Sequence, residues 1–305
     1  MVAFGMQLPI QSQSTIYVQP WEPGAGVAEL VQVARACDGA GFDYVAVCDH
    51  VAIPADRAEA MSTTWWDTIG TLSFLAAVTE RVRLLSHVYV LPYRHPLSAA
   101  KAWATLDRLS GGRAILGVGT GHVEGEFEAL DVPYAERGRL LDEAIDAVRA
   151  ALDDEFATHR GERWSFRDVG QRPRPVQARL PIWVGGSSKP AMRRAAERGD
   201  GWLPQGPPEG GMAAGIDLIR EHRAATRGDD PIVLGALSGP LHVGDPTWET
   251  PRCVRGPAEK IAGYLRGIAA DGVDQIQVGF VSRSADELCD QVAAFAAEVV
   301  PLVND

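Results

Sequence analysis

Apolar positions along this chain follow two alternating periods. Compact apolar runs at 2–8, 42–48, 82–91, 114–118, 181–184, 201–203, 232–237 and 275–280 read as strands. The run 42–48 is apolar nearly throughout, as a strand buried on both faces must be. Between these runs, apolar residues recur at helical spacing. Val27, Leu30, Val31 and Ala34 form one such stripe, closed by Gly39 and Gly41. Leu140, Leu141, Ala144, Ile145, Val148 and Leu152 form the clearest. Further helices are predicted over 65–79, 96–109, 189–198, 211–227, 257–270 and 286–300. Pro96 opens one where a missing N–H costs nothing, and Ser110-Gly111-Gly112 ends it. Residues 159–168 read as an inserted hairpin, 172–181 as a proline-rich connector, and 238–256 as a loop long enough for a lid or substrate loop.

Eight strands in strict alternation with eight helices imply a parallel sheet. In 305 residues that pattern predicts a closed (β/α)8 TIM barrel forming one domain over 1–305, with an open doubly wound sheet as the alternative. A parallel barrel collects its chemistry at the C-terminal ends of its strands, so the residues that follow each strand are the ones to read.

Composition narrows the function classes. The balance of 29 basic and 40 acidic residues gives a net charge of −11, which argues against a nucleic-acid or anionic-membrane face but leaves room for one local basic pocket. The four cysteines are scattered without zinc-like spacing, and no set of histidines and carboxylates suggests a metal site. No apolar run approaches a membrane span. The opening residues lack the charged start and cleavage site of a signal peptide and read as a strand. A compact cytoplasmic protein in a reducing compartment is the expectation.

Four strand ends carry candidate chemistry. The second leads into Cys48-Asp49-His50, where a histidine can exchange a proton near neutral pH and an aspartate can accept a hydrogen bond; a helix cap plus a surface histidine is the other reading. The third leads through Ser86-His87-Val88-Tyr89 to Arg94, with His87 expected to pack and Arg94 to lie at the rim. The fourth ends Gly117-Val118-Gly119-Thr120-Gly121-His122. Its alternating glycines lack the rest of a dinucleotide fingerprint, and either admit a flat ring to the backbone or make a tight turn. The fifth ends Gly185-Gly186-Ser187-Ser188 at a helix start, an arrangement suited to phosphate, with Lys189, Arg193 and Arg194 adding positive charge. Trp65-Trp66 reads as core or interface before pocket lining, and Glu124, Glu126 and Glu128 as a solvated helix start.

Several motifs together resemble one family. They are Ala40-Gly41-Phe42-Asp43 leading into Cys48-Asp49-His50, Leu91-Pro92-Tyr93-Arg94-His95-Pro96, the stretch Ala104 to Arg113 with the strand-four glycines, Pro181-Ile182-Trp183-Val184-Gly185-Gly186, and Gly199-Asp200-Gly201-Trp202. In this order, over nearly the whole chain, they resemble the luciferase-like monooxygenase superfamily, and in particular its branch that uses the deazaflavin coenzyme F420. The resemblance implies hydride transfer between F420 and a small organic substrate, in a homodimer. It implies that Asp49 hydrogen-bonds the ring and that His50 assists proton transfer. It further implies a strand-three bulge with a non-proline cis peptide at Ser86-His87, supporting the ring. Gly119, Thr120 and Gly121 with Gly185, Gly186 and Ser187 would hold the phosphate-bearing tail. An FMN-dependent monooxygenase using O₂ is the alternative, and a non-catalytic ligand-binding barrel a third. The chain departs from sugar-phosphate-using members, since Val51-Ala52-Ile53-Pro54 follows Asp49-His50 without their tryptophan. His122 stands where many relatives carry a bulky apolar residue, as a substrate-side acid or as a different pocket wall.

Overall fold

Eight parallel strands close into a barrel. They are β1 (Ala3–Gln7), β2 (Tyr44–Val47), β3 (Arg83–Ser86), β4 (Ala114–Gly119), β5 (Ile182–Val184), β6 (Gly201–Trp202), β7 (Val233–Val243) and β8 (Gln275–Phe280). Each pairs in parallel with the next, and β8 returns to β1 with Ala3 opposite Gln275, so the sheet has no open turn-around and the doubly wound alternative falls. The structure, a computed structural model, describes residues 1–15 and 17–305. Around the barrel run α1 (Val27–Gly39), α2 (Thr68–Ala76), α3 (Pro96–Ser110), α4 (Arg137–Asp153), α5 (Lys189–Arg198), α6 (Met212–Arg227), α7 (Ala258–Ala269) and α8 (Ala285–Ala294). Among the described residues, no helix is long and apolar enough to cross a membrane.

The barrel interior is filled by Tyr44, Ala46, Leu85, Ile115, Trp183 and Leu203. Tyr44 and Trp183 meet edge to face at 5.5 Å. Gly5 makes this possible, because a Cβ there would lie 2.2 Å from the Tyr44 ring. Below them the Asp43 carboxylate accepts from Arg83 and, at 2.7 Å, from Gln275 Nε2, while the Arg83 guanidinium sits 5.5 Å from the Trp183 ring centre. This polar plug closes the N-terminal end.

Two family motifs turn out to be braces. Asp107, buried on α3, accepts from the backbone N–H groups of Val176 and Gln177 and from Gln177 Nε2, pinning the proline-rich connector. Asp200 accepts from Arg149 at 2.6 Å and from the Ile182 N–H at 3.0 Å, tying α4 to the start of β5.

Local differences from the expected elements have local causes. The helix predicted from Trp65 begins at Thr68, because Asp67 caps it by accepting the Gly70 N–H at 2.7 Å. The strand predicted over 82–91 breaks after Ser86 and resumes as Tyr89–Val90, which pairs with β4. The non-proline cis peptide lies between His87 and Val88, one residue beyond the expected Ser86-His87. The hairpin is present as Phe156–Arg160 against Ser165–Gly170. The two ends of the long loop are sheet: β7 continues to Val243 through a register shift between Leu237 and Pro240, and Val254–Gly256 adds alongside it. Proline at 240 has no N–H for the ladder, which accounts for a shift at that point.

Gly117 faces a wall, since a Cβ there would lie 1.9 Å from the Ser86 carbonyl oxygen. Gly117→Ala is therefore expected to lower unfolding stability by about 3 kcal/mol or more. Gly263, exposed on α7 with nothing within 4 Å of a Cβ, is expected to gain about 0.5–1 kcal/mol as alanine. Urea unfolding of the two variants beside the parent protein checks both signs.

Candidate active site

All eight strand ends converge on one cavity of about 540 Å³. Ten of the eleven candidate site residues, Asp49, His50, His87, Gly119, Thr120, Gly121, His122, Gly185, Gly186 and Ser187, stand in its wall. Ser86 itself is not in that wall. Its Oγ donates to the Gly117 carbonyl at 2.8 Å and accepts the Gly117 N–H at 3.0 Å, so it knits β3 to β4 inside the barrel, and the expectation that it binds a cofactor is corrected.

Asp49 is buried and fully engaged. Arg94 grips both carboxylate oxygens, at 2.6 and 2.7 Å, the Val90 N–H donates at 2.7 Å, and Thr68 Oγ1 lies at 3.0 Å. Arg94 lies over the Tyr89 ring at 4.0 Å, so it is a partner of Asp49 and not the rim residue expected. Arg94 and the Val90 N–H occupy both carboxylate oxygens, and the geometry is that of a brace between β2, the strand-three bulge and α2.

His50 hangs from Glu126. Its Nδ1 lies 2.8 Å from Glu126 Oε2, and the same carboxylate accepts the N–H groups of Val51 and Ala52 and the Tyr93 hydroxyl at 2.9 Å. Burial pushes the Glu126 carboxyl up, but His50 and the two backbone donors outweigh it and hold its pKa below the usual 4.5. An ionised carboxylate only accepts, so Nδ1 carries the proton and Nε2 is the free ring nitrogen. Glu126 is completely buried, which corrects the reading of it as solvated. Three glutamates at alternate positions gave no sign of which turns inward; that is decided by Phe127, buried beside it, and by the position of the Val51-Ala52 backbone. Trp65 is likewise a pocket residue, its ring 4.3 Å from His50.

The other two histidines differ. His87 is buried, with Nε2 donating to the Leu203 carbonyl at 3.1 Å and Nδ1 therefore accepting from Gln277 Nε2 at 3.3 Å. Burial lowers its pKa to about 4, so it is neutral across the physiological range. His122 stands at the rim, 5.7 Å from His50, edge to face. Protein atoms packed about its ring, together with the nearby His50, push its pKa below 6.5.

Alternating glycines serve a side chain as well as an opening. A Cβ on Gly119 would lie 2.3 Å from Val88 Cγ2, and one on Gly185 would lie 2.5 Å from Val88 Cγ1. Val88 thus occupies the room these glycines leave and forms part of the cavity wall. Gly121 has φ +75°, as a turn does. Among the described residues, the N–H groups of Thr120, Gly121, Gly186 and Ser187 have no protein acceptor, and Ser188 caps α5 by accepting the Ala191 N–H. Two of the cations expected beside them are turned away. Arg194 is buried against Asp142 at 2.6 Å and Gly138, and Arg193 also faces Asp142, because both lie on the side of α5 that packs on α4. Among the described residues, no group of three metal-ligating side chains occurs.

These strand-end residues sit on a closed parallel barrel, and comparison with known proteins places the chain in a family. The family model described as luciferase-like monooxygenase matches residues 2–255, and the chain belongs to this family, whose members are oxidoreductases or monooxygenases. One uncharacterized protein of Mycobacterium tuberculosis is 30% identical over 283 residues, 87% of this chain and 92% of that protein. A second is 33% identical over 185 residues, 57% of this chain, and the match spans only 64% of that protein's length. The FMNH(2)-dependent dimethylsulfone monooxygenase of Pseudomonas putida is 35% identical over 156 residues, 50% of this chain and 42% of that protein. The same fold is found in monooxygenase RslO1 from Streptomyces bottropensis, with TM-score 0.81, 21% identity and 98% and 99% of the two chains covered. It is also found in the coenzyme F420 dependent tetrahydromethanopterin reductase from Methanopyrus kandleri, with TM-score 0.75, 17% identity and the same coverage.

Two expectations follow. Arg94→Met leaves Asp49 buried without its counter-charge and is expected to cost about 3–5 kcal/mol in urea unfolding, with Asp49→Asn/Arg94→Met recovering a large part. His87 takes up protons more readily unfolded, at 6.5, than folded, at about 4, so stability falls as pH drops from 6.5 to 4 and this contribution levels off below. The fall is about 3 kcal/mol for this group. His87→Gln is expected to flatten that limb in unfolding curves taken across the same window.

Proposed function

We propose that this protein is an oxidoreductase that binds coenzyme F420 with its ring in the strand-end cavity and passes hydride between it and a small organic substrate. The observation that carries the reading is the anchored His50, whose Nδ1 is held by Glu126 and whose Nε2 is free at the cavity wall. When bound, a deazaflavin supplies a two-electron hydride acceptor or donor. The residues present suit such a group: among the described residues, Thr120 and Gly121 after the fourth strand, and Gly186 and Ser187 at a helix start suited to a phosphate-bearing tail, offer backbone N–H groups without protein acceptors. Val88 and Trp65 supply apolar wall for a flat ring or for substrate.

His50 would take or return the proton that accompanies hydride movement. Glu126 would keep Nε2 aimed and offset the charge of the imidazolium formed. Asp49 would act as a positioning residue, fixing the backbone from which His50 projects. His122, beside His50 at the rim, would be a second imidazole on the substrate side. An FMN-dependent monooxygenase is the second reading, favoured by the 35% identity to an FMNH(2)-dependent enzyme over half of this chain.

Titration of the protein with F420 is expected to quench deazaflavin fluorescence saturably, with FMN binding weakly. Tight FMN binding with no response to F420 would transfer the reading to the monooxygenase. His50→Asn is expected to lower kcat about 10²–10⁴-fold while leaving F420 affinity within a few-fold. An unchanged kcat removes His50 from proton transfer.

A further inference from the structure

We propose that the substrate is an uncharged molecule, with an apolar body and a single hydroxyl or carbonyl group directed at His50. The inference rests on the reading of His50 as proton carrier and adds the class of molecule it acts on. Its first support is the wall. Met61, Trp65, Val88, Leu237, Pro240 and Val278 line the cavity, and Trp65 packs directly on the His50 ring at 4.3 Å. These side chains favour a hydrocarbon body and offer a polar group little.

The second support is the state of the charges around His50. Asp49 and Glu126 are both buried, and each has its oxygens occupied by protein donors: Arg94, Val90 and Thr68 on the first, His50, Val51, Ala52 and Tyr93 on the second. A cationic substrate finds no carboxylate oxygen left to receive it. Arg94, a half-buried cation, is turned onto Asp49 and the Tyr89 ring. Among the described residues, no lysine or arginine lines the cavity. An anionic group beside His50 would lose water without gaining a counter-ion, and would do so near two carboxylates. The open N–H groups of Thr120 and Gly121 and of Gly186 and Ser187 belong to the fourth and fifth strand ends, where the proposed cofactor tail lies.

The third support is the pair of imidazoles beside this wall, to which Ser14, Gln205 and Ser238 add uncharged polar groups. His50 Nε2 is the free nitrogen of an anchored ring, and the His122 ring stands 5.7 Å from it. A hydroxyl or carbonyl oxygen can hydrogen-bond to either imidazole without bringing a charge.

Calorimetric titration of the protein, with and without saturating F420, tests this with four probes that share a phenyl body: 1-phenylethanol, acetophenone, benzoate and benzylamine. The alcohol and the ketone are expected to bind at least tenfold more tightly than the two ions. Met61→Lys, which supplies a cation to the wall, is expected to raise benzoate affinity at least tenfold relative to acetophenone, with circular dichroism confirming that the variant is folded. Benzoate or benzylamine binding as tightly as the neutral pair in the parent protein overturns the proposal, as does a lack of saturable heat with all four. Because the titration is also run without F420, the two readings separate. A neutral preference in a protein that ignores F420 retains the substrate class and removes the cofactor, and the reverse pattern does the opposite.

Discussion

The carboxylate of Asp49 joins the parts of this site. It sits at the end of β2, yet its hydrogen bonds reach Val90 beyond the interrupted third strand, Thr68 at the start of α2, and Arg94 just before α3. A buried carboxylate with a guanidinium and a backbone N–H on its oxygens is stable where an unpaired one would cost several kcal/mol, so the three segments are held in one arrangement. The residue after it, His50, inherits a fixed backbone, and Glu126 then fixes its ring. Two buried carboxylates thus do successive tasks: one sets where the imidazole begins, the other sets which nitrogen is free.

The barrel wall is organised for the same end. Ser86 Oγ bonds both the N–H and the carbonyl of Gly117, holding β3 close against β4 just below the break at His87-Val88. Val88 then crosses into space left by Gly119 on one strand and Gly185 on another. Close packing makes these positions interdependent, because a methyl group added at either glycine would meet Val88 directly. His87, neutral and bonded to Leu203 and Gln277, spans the barrel beneath.

Charge is distributed differently from what the helix sequence alone implies. Arg193 and Arg194 follow the Gly185-Gly186-Ser187 turn closely in sequence, yet α5 rotates them onto Asp142 of α4. The turn itself retains backbone N–H groups and the helix start, which attract an anion by dipole rather than by side-chain charge. That arrangement reconciles a net charge of −11 with a site for an anionic tail, and leaves the His50 side of the cavity without a counter-ion for an acidic substrate.

Periodicity and turn chemistry were enough to read the alternation of strands and helices, the barrel, the hairpin, and the strand ends where His50, His122 and the glycines gather, because these depend on local patterns and on a general rule of parallel barrels. The ordered motifs carried the family. What only the tertiary structure decided were the partners. Asp49 pairs with Arg94, 45 positions away, and His50 with Glu126, 76 positions away. Ser86 proved to be wall and Trp65 pocket. No local pattern marks which of Glu124, Glu126 and Glu128 is buried, since the choice depends on backbone N–H groups and a tyrosine brought up from other strand ends. Sequence determines which groups reach the rim; the closing of the barrel determines which of them are neutralised there and which remain free to act.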